Sequence, residues 1–505
     1  MSGLFKMHSP IKKKLNPSFL HLFLNGIEYA IEGEDCFLSL AQYLREKKNL
    51  CGTKIVCSEG DCGACTVLVA KWNGMKGDWL DFQQINSCIT PLYLLDLNFI
   101  ITVEGLQDSS QALNELQQKM CEFHGAQCGY CTPGIICSLS VLAEDCFSNH
   151  NPITSKKAKN YLTGNLCRCT GYLPIIEAAV EADLNQWSSL KIRYLTQEKR
   201  ERCKKLEKER KEELLPLCLE KEQKKIIFPR TLKEAIEIKN QNPYFKIVAG
   251  ATDLGVLHNK GKLFLESILV LNKIEELNLI KEKENSILIG ANVTLSKVEE
   301  FCSILHPEMN RLFKIFASPQ IKNQGTLLGN ILNASPIADS IGPLLVLESV
   351  LHLISSTKGK RSVSLEKFYK GYKKIDLAPD EIATGIEIPF LEKSSKSKYY
   401  KVSMRKDLDI SAVTFAGILS LTNENKIGQI KVALGGVGPV VMRIPEIENF
   451  LQNKIFEEES FLEAGELASQ LIHPLSDLRG SKEYRLKIVK NLFHKFFTEL
   501  LQEKR

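Results

Sequence analysis

The stretch CSEGDCGACTV at residues 57–67 places three cysteines in one short loop, with the spacing Cys57-x4-Cys62-x2-Cys65. A fourth cysteine, Cys88, follows after 22 further residues. Gly60 and Gly63 interleave with the cysteines. Glycine allows tight loop conformations and lets successive backbone N–H groups point at a bound anion or sulfur atom. This stretch therefore predicts a loop that brings four thiolates together.

The spacing of this first cysteine set is that of plant-type [2Fe–2S] ferredoxins, in which four thiolates hold two irons joined by two sulfides. A zinc site could use the same thiolates, but zinc sites usually consist of two short C-x2-4-C knuckles, and this loop does not divide in that way. The segment CTVLVAKW, from Cys65 onward, reads as a strand.

A second set consists of Cys128-x2-Cys131 and the closely spaced pair Cys167 and Cys169. By itself this set is compatible with an iron–sulfur cluster or with zinc. Two four-cysteine sets in one short region suit a path for electrons, which favours iron–sulfur. The other eight of the 16 cysteines belong to no motif and are predicted to be ordinary thiols.

Composition excludes several classes of protein. The 505 residues carry a net charge of +6 and are 44% hydrophobic and 25% charged, as in ordinary globular proteins. We expect no nucleic-acid partner and no membrane segment, because the charge is mild and no apolar run reaches the length of a spanning helix. The N-terminal residues lack the apolar core of a signal peptide, and clustered cysteines suit a reducing compartment, so an intracellular, cytoplasmic location is expected.

The pattern of hydrophobic residues predicts a multidomain α+β protein. Residues 18–96 read as a small sheet-rich domain with a hairpin at Asn25-Gly26, and residues 97–190 as a helical bundle with Pro133 and Pro174 near helix starts. Residues 191–225 are dense in Lys, Arg and Glu and are predicted to be a linker, either a solvated helix or a mobile segment. Residues 226–395 alternate strands and helices, and residues 396–505 begin with strands and end in helices.

Two Gly-rich segments in the second half are candidate phosphate-binding loops. They are IVAGATDLG at residues 247–255 and NQGTLLGNILNASPIADS at residues 323–340. Small residues expose backbone N–H groups that can bind pyrophosphate oxygens without a lysine. Each segment alone is a weak signal, because a Gly-rich stretch is more often a turn or a site of tight packing. The second half contains no G-x-G-x-x-G motif after a strand and no P-loop motif, so a Rossmann or P-loop site is not supported.

The cysteine motifs resemble a known family. Residues 57–67, QCGYCTPG at 127–134 and GNLCRCTGY at 164–172 are similar to the two [2Fe–2S] domains of the xanthine dehydrogenase, or molybdenum hydroxylase, family. The resemblance implies a plant-type ferredoxin domain of β-grasp fold, followed by a four-helix [2Fe–2S] domain. It implies that Gln127 contacts the pterin. The implied cluster ligands are Cys57, Cys62, Cys65, Cys88, Cys128, Cys131, Cys167 and Cys169.

The Gly-rich segments resemble, in the same order, those of the FAD-binding domain of this family, and residues 433–443 resemble its small C-terminal flavoprotein domain. The resemblance places Asp339 at the ADP portion of FAD, Phe316 near the isoalloxazine and Lys401 in contact with the flavin. Residues implied to line the diphosphate are Ile247, Val248, Ala249, Gly250, Ala251, Thr252, Asp253, Leu254, Thr326, Leu327, Leu328, Gly329 and Asn330. Three positions depart from the family pattern: Ala251 and Leu328 replace glycines, and Lys322 replaces a frequent arginine.

The function implied by the resemblance is electron transfer. The chain is similar to the iron–sulfur/FAD small subunit of a xanthine dehydrogenase, with the molybdopterin on a separate large subunit. Purine oxidation to urate would take place on that partner, and no catalytic residue for it is assigned in this chain. Electrons would pass through the second cluster, the first cluster and FAD to NAD⁺. The alternatives are another molybdenum hydroxylase acting on aldehydes or N-heterocycles, oxygen or a quinone as acceptor, and a non-enzymatic zinc-binding scaffold.

Overall fold

The Asn25-Gly26 turn opens the first sheet of the protein, in a computed structural model that describes residues 19–107, 112–212 and 216–504. Both turn residues have positive φ, 51° and 95°, as a two-residue type I′ hairpin requires. The sheet has the order β2-β1-β7-β3-β6, with β1 and β7 parallel. The elements of this ferredoxin-like domain are β1 Leu20–Leu24, β2 Ile27–Ile31, α1 Leu40–Gln42, β3 Thr66–Ala70, β4 Trp72–Asn73, β5 Asp78–Trp79, β6 Gln83–Asn86 and β7 Phe99–Ile101.

Four helices follow, which confirms the predicted helical domain. They are α2 Glu115–Glu122, α3 Thr132–Ser148, α4 Ser155–Tyr161 and α5 Leu173–Val180. Pro133 and Pro174 lie in the first turns of α3 and α5, as predicted, where a missing N–H leaves no hydrogen bond unmade. Glu144 of α3 is buried and accepts hydrogen bonds from Trp187 Nε1 (2.9 Å) and Ser189 Oγ (2.7 Å), which holds the chain as it leaves the bundle.

The charged segment forms α6 Leu190–Tyr194 and the longer α7 Gln197–Glu212. One side of α7 is docked on the ferredoxin-like domain. Cys203 and Leu206 are buried there, and the Arg202 guanidinium donates twice to the Glu28 carboxylate at 2.9 Å. Of the two forms predicted for this segment, the helix is the one observed, and only its outer face is solvated. Residues 217–221, also inside the predicted linker, form a strand of the next sheet.

The third part contains two sheets. The first has the order β10-β11-β9-β8, with β10, β11 and β9 parallel, and the second has the order β12-β13-β18-β14-β15. The elements of the first sheet region are β8 Leu217–Lys221, β9 Lys224–Phe228, α8 Leu232–Gln241, β10 Lys246–Val248, α9 Leu254–Asn259 and β11 Ser267–Val270. Those that follow are β12 Ile280–Glu282, β13 Ser286–Gly290, α10 Leu295–Leu305, α11 Pro307–Phe316, α12 Pro319–Lys322, α13 Leu327–Asn333, α14 Ile341–Val346, β14 Val350–Ser355, β15 Gly359–Ser364, α15 Leu365–Phe368, β16 Tyr369–Gly371, β17 Lys374–Ile375 and β18 Ile382–Pro389.

The last part is an antiparallel sheet, ordered β19-β20-β21-β22, that is covered by helices. Phe415 of the sheet contacts Phe493 and Phe496 of the last helix, with ring centroids 5.3 Å apart in both pairs. The elements are β19 Ser395–Val402, β20 Val413–Leu421, β21 Ile427–Gly435, β22 Met442–Arg443, α16 Pro445–Leu451, α17 Glu458–Leu471 and α18 Lys482–Lys504. The predicted multidomain α+β class is confirmed. Within the described ranges, the helices are all too short or too polar to cross a membrane.

A buried ion-pair cluster joins three parts of the chain. The carboxylate of Asp96, only 2% exposed, accepts from Arg210 of α7 at 2.9 Å and from the backbone N–H of His21 at 3.1 Å, and it lies 3.8 Å from Lys273 Nζ. Burial acts to raise the pKa of Asp96, but the charges of Arg210 and Lys273 outweigh it, so the pKa lies below its ordinary value. The cluster thus ties α7 and the third part to the ferredoxin-like domain.

We expect Asp96→Asn to lower the free energy of unfolding by about 3 kcal/mol, because it leaves two cations without their carboxylate. Glu201→Gln on the exposed face of α7 is the matched control and should change stability by less than about 0.5 kcal/mol. Because the pKa of Asp96 is lowered in the folded state, its contribution is complete well above pH 3.8 and is lost as the pH falls through the folded pKa. Urea unfolding at pH 7 and pH 3 measures both effects, and equal losses for the two variants at pH 7 would contradict the assignment.

Candidate functional site: two cysteine clusters and a flavin cleft

The first cysteine set lies on the loop between α1 and β3, with Cys88 just after β6. Ser58, Gly60 and Gly63 all have positive φ, between 57° and 72°, so the loop turns back on itself repeatedly. The Cys57 thiol contacts those of Cys62 and Cys88, and Cys88 in turn contacts Cys65. The structure therefore brings together all four cysteines of the set.

Backbone donors point at these sulfur atoms. The N–H of Glu59 donates to Cys57 Sγ at 3.4 Å, and the side chain of Asn86 donates to Gly60 O at 2.7 Å, which holds the loop against β6. Thiol–thiol hydrogen bonds lower the pKa of Cys57 and Cys65 and raise the pKa of their partners Cys62 and Cys88. Four converging thiols and inward-pointing N–H groups fit a [2Fe–2S] cluster, whose sulfurs accept such hydrogen bonds.

The second set joins the start of α3 to the turn before α5. Cys128 Sγ and Cys169 Sγ lie 3.4 Å apart, and the thiol of Cys131 contacts that of Cys167. Cys128 and Cys169 are exposed, whereas Cys167 is buried. These two thiol pairs lie close enough to influence one another, and as a set of four they also fit a [2Fe–2S] cluster. In the described ranges, no group of three or more His, Cys, Asp or Glu side chains is arranged to hold a single metal ion.

The two cysteine loops are in direct contact. The N–H of Leu166, next to Cys167, donates to the carbonyl oxygen of Cys62 at 2.9 Å. The side chain of Asn165 donates to Gly63 O at 3.0 Å. A Cβ on Gly63 would lie 2.0 Å from Gly164 O, so only glycine allows this approach. A backbone hydrogen bond thus joins Cys62, a predicted ligand of the first set, to the residue next to Cys167, a predicted ligand of the second.

The first loop also touches the third part of the chain. The side chain of Asn259, at the end of α9, donates to Ser58 O at 3.0 Å and to Cys88 O at 2.9 Å. Lys260 Nζ lies 2.6 Å from a Glu59 carboxylate oxygen. The first loop therefore contacts both the second cysteine loop and the third part of the chain.

The two Gly-rich segments pack against each other. A Cβ on Gly250 would lie 1.9 Å from Gln324 O, and a Cβ on Gly325 would lie 3.2 Å from Thr252 Oγ1. Thr326 caps α13 by accepting from the N–H of Gly329 at 3.0 Å. The segments thus meet with small residues and backbone groups at their contact, which suits the phosphates of FAD.

Three further predicted flavin residues lie together. Asp339 and Lys401 form a buried ion pair, and Phe316 contributes its backbone carbonyl. Lys401 Nζ lies 2.8 Å from Asp339 Oδ2 and donates to Phe316 O at 3.3 Å, and Ser411 Oγ donates to Asp339 Oδ1 at 2.5 Å. Burial raises the pKa of Asp339, and Lys401 opposes that shift. Asn330 is linked to this ion pair through the residue after Asp339, because its Oδ1 accepts from Ser340 Oγ at 2.6 Å. The predicted residues from three segments therefore form one polar group that can hold FAD.

The three departures from the family pattern have different structural consequences. Ala251 has φ = 57°, a left-handed conformation that glycine adopts without cost and that costs other residues about 1 kcal/mol. Leu328 is buried in the hydrophobic core, with 2% exposure. Lys322 is buried and bonded to Glu299 at 2.5 Å and to Phe313 O at 3.1 Å. Ala251 is therefore the departure with a backbone cost, whereas Leu328 and Lys322 have places in the core and in an ion pair.

Residues outside the motifs complete the site. Gln320 is fully buried between three parts of the chain, where its side-chain N–H₂ donates to Thr66 Oγ1 at 3.2 Å and to Asn165 Oδ1 at 3.0 Å. Ser411 and Ser340 support Asp339 and Asn330. No spacing rule indicates these residues, because their partners are distant in sequence. The predicted pterin contact, Gln127, lies exposed beside Cys128.

Four family models match successive parts of the chain. They are the 2Fe-2S iron-sulfur cluster binding domain (residues 22–93), the [2Fe-2S] binding domain (102–180), the FAD binding domain in molybdopterin dehydrogenase (221–391) and the CO dehydrogenase flavoprotein C-terminal domain (398–500). This chain contains the iron–sulfur and FAD regions of the molybdenum hydroxylase family. The two [2Fe–2S] models and the FAD model support the cluster and flavin interpretations of the geometry.

Relatives of this molybdenum hydroxylase region are similar over nearly its whole length. Xanthine dehydrogenase from Blastobotrys adeninivorans is 30% identical over 96% of the chain and 41% of its own length. Xanthine dehydrogenase/oxidase from Gallus gallus and aldehyde oxidase 1 from Bos taurus are each 29% identical over 96% of the chain, and the chain covers 40% and 39% of them. The chain thus spans about two fifths of the curated relatives it matches.

A solved structure matches part of the fold. Quinoline 2-oxidoreductase from Pseudomonas putida 86 is 26% identical, with a TM-score of 0.51 over 55% of this chain and 96% of the matched chain. A carbon monoxide dehydrogenase from Hydrogenophaga pseudoflava, 23% identical with a TM-score of 0.51 over 56% of this chain and 96% of its own, shares the fold of that part.

We expect Cys88→Ser to remove the first cluster, since the buried Cys88 thiol lies between those of Cys57 and Cys65. Bound iron and acid-labile sulfide should fall by about half, and one of two EPR signals after dithionite reduction should disappear. Cys51→Ser, at an exposed cysteine outside both sets, is the control and should keep all the iron. Unchanged iron in Cys88→Ser, or zinc in place of iron in the parent protein, would contradict the cluster assignment.

Ala251→Gly should raise the free energy of unfolding by about 0.5–1 kcal/mol, because glycine removes the strain of the left-handed backbone. Ala235→Gly is a useful comparison, because Ala235 lies inside α8 and the same change there should destabilise by about 1 kcal/mol or more. Denaturant unfolding measures both. A destabilising effect of Ala251→Gly would show that the strain is not what matters at this position.

Proposed function

We propose that this chain is the electron-transfer component of a xanthine dehydrogenase. The supporting observation is that the first cysteine set contacts both the second set and the flavin domain. The second cysteine set meets the first through Leu166 and Cys62, and the first meets the flavin domain through Asn259 and Lys260. When bound, the clusters carry single electrons and FAD combines two of them for transfer as a hydride.

The residues of this chain hold and space the redox groups. Cys57, Cys62, Cys65 and Cys88 would bind one cluster, and the second set would bind the other. The diphosphate of FAD would lie on the two Gly-rich segments, and Asp339 and Lys401 would hold its remaining polar groups. Cys65, Cys88 and Cys167 are themselves buried, which keeps water from part of this path. The proposed acceptor is NAD⁺.

The proposed partner is a molybdopterin-binding large subunit or region that oxidises hypoxanthine and xanthine. The surface beside the second set supports this proposal, because its two exposed thiols, Cys128 and Cys169, lie beside Tyr130, 54% exposed, and Leu173, 64% exposed. Exposed apolar side chains around a redox site are expected where another protein surface covers them. Gln127, in the same exposed loop, is the proposed pterin contact.

A second candidate is oxidation of aldehydes or N-heterocycles by the same type of assembly. Bovine aldehyde oxidase 1 is as similar to the chain as the chicken xanthine dehydrogenase/oxidase. Nothing in this chain contacts the substrate in the proposed arrangement, so the two candidates differ only in the partner. Assays of the assembled enzyme with xanthine, an aldehyde and quinoline, each with NAD⁺ or oxygen as acceptor, separate them. If xanthine is the only one of the three substrates that supports NAD⁺ reduction, the first candidate is supported. If only the aldehyde or quinoline is oxidised, the first candidate is contradicted.

In the assembled enzyme, Cys169→Ser should lower xanthine-dependent NAD⁺ reduction by at least about 100-fold, because electrons lose their entry point at the second cluster. The reverse step, bleaching of FAD by NADH, should remain, because it bypasses that cluster. Cys121→Ser, at another exposed cysteine, is the control and should keep both activities. Stopped-flow absorbance measures them. Full xanthine-dependent turnover by Cys169→Ser would contradict the proposed order.

A further inference from the structure

A cavity of about 580 Å³ lies where the ferredoxin-like domain, α7 and the FAD domain meet. Its walls come from the β3–β4 segment, the loop before β7, α7, and the residues that follow β9, β10, β11 and β13. Of the predicted FAD residues, Ala249, Gly250 and Thr326 line it. Asp339 and Lys401, the buried ion pair predicted to hold FAD, are not among its lining residues. The cavity therefore borders the Gly-rich segments but does not include the Asp339–Lys401 pair.

Two lysines that repel each other line this cavity. Lys71 follows β3, and its Nζ donates to the carbonyl oxygen of Asn323 at 2.5 Å. Lys297 lies in the first turn of α10. Burial, the larger cause, and repulsion by Lys297, the smaller one, lower the pKa of Lys71 to about 8. Neither lysine forms an ion pair with a carboxylate in the described ranges, so no negatively charged side chain neutralises either of them.

Unused hydrogen-bond donors lie in the same cavity. The indole N–H of Trp72 has no partner among the described residues, although Trp72 is only 8% exposed and lines the cavity. A buried N–H without an acceptor is unfavourable, which points to an acceptor that a ligand supplies. Thr294, the residue before α10, also lines the cavity, and its hydroxyl contacts Ser296 Oγ at 3.1 Å instead of capping the first turn. The start of this helix therefore has no side-chain cap near Lys297, and its first N–H, that of Leu295, donates to Gly325 O at 2.8 Å.

Part of the cavity is suited to an organic group. Apolar side chains line that part, among them Leu80, Leu94, Leu97 and Phe228, while Asp96, Glu207, Glu275 and Glu276 also belong to the lining. Its volume is within the range of sites for small molecules and much larger than inorganic phosphate requires. We propose that this cavity binds an organic phosphate monoester, whose phosphate lies at Lys71, Lys297 and the Trp72 N–H and whose body packs on the apolar wall.

AMP, adenosine and inorganic phosphate are suitable probes, titrated calorimetrically into the full chain with FAD bound. We expect AMP to bind, and adenosine to bind at least 10-fold more weakly because it lacks the anion. Lys297→Met and Lys71→Met should each weaken AMP binding about 10-fold, as expected for one charge-assisted contact. Lys297 is exposed, so its variant should fold normally. Lys281→Met, at an exposed lysine of β12, is the control and should bind AMP as the parent does.

FAD content measured for every variant separates this site from the flavin cleft. The proposal expects unchanged FAD content and weakened AMP binding in Lys297→Met. It is overturned if the FAD-loaded parent binds no AMP, if both lysine variants bind AMP as tightly as the parent, or if AMP binds only after FAD is removed. Binding of inorganic phosphate as tight as that of AMP would also overturn it, because the apolar wall would then contribute nothing.

Discussion

The close approach of the two cysteine loops is the constraint on which the rest of the protein depends. Gly63 lies against Gly164 and Gly134, so closely that a Cβ on Gly63 would be 2.0 Å from Gly164 O and one on Gly134 would be 2.2 Å from Gly63 O. Backbones can meet in this way only without side chains between them. The hydrogen bond from Leu166 to Cys62 depends on that contact. A ferredoxin-like sheet and a helical bundle are thereby held as one electron-transfer unit.

The flavin domain is attached to this unit by the same kind of contact. A Cβ on Gly255 would lie 2.4 Å from Ile89 O, next to Cys88, and Gln320 inserts its amide between Thr66 and Asn165. Charged contacts act further away, where Arg210 of α7 and Lys273 meet at Asp96. The close backbone contacts near the cysteine loops keep the path for electrons short. The ion pairs at Asp96, further away, fix the position of the flavin domain relative to the ferredoxin-like domain.

The same packing explains why a cavity remains between the domains. The β3–β4 segment, α7 and the FAD domain each contribute charged side chains that must stay hydrated or paired, so they do not close into a dry interface. Asp96 satisfies the cations on one side of that space. Lys71 and Lys297 also line that space without a carboxylate partner in the described ranges, and the proposed anionic ligand would supply one.

The sequence by itself determined the local chemistry of this protein. Cysteine spacing and glycine placement predicted both thiol clusters, the Asn25-Gly26 hairpin and the prolines at helix starts, because each depends on neighbours a few residues apart. Resemblance to a family supplied the flavin residues, and the structure brings Phe316, Asp339 and Lys401 together. Only the tertiary structure decided that the charged segment is a docked helix, that Ala251 is left-handed, and that Gln320 and Lys71 lie at domain junctions. These features depend on contacts between residues far apart in sequence, which no local pattern records.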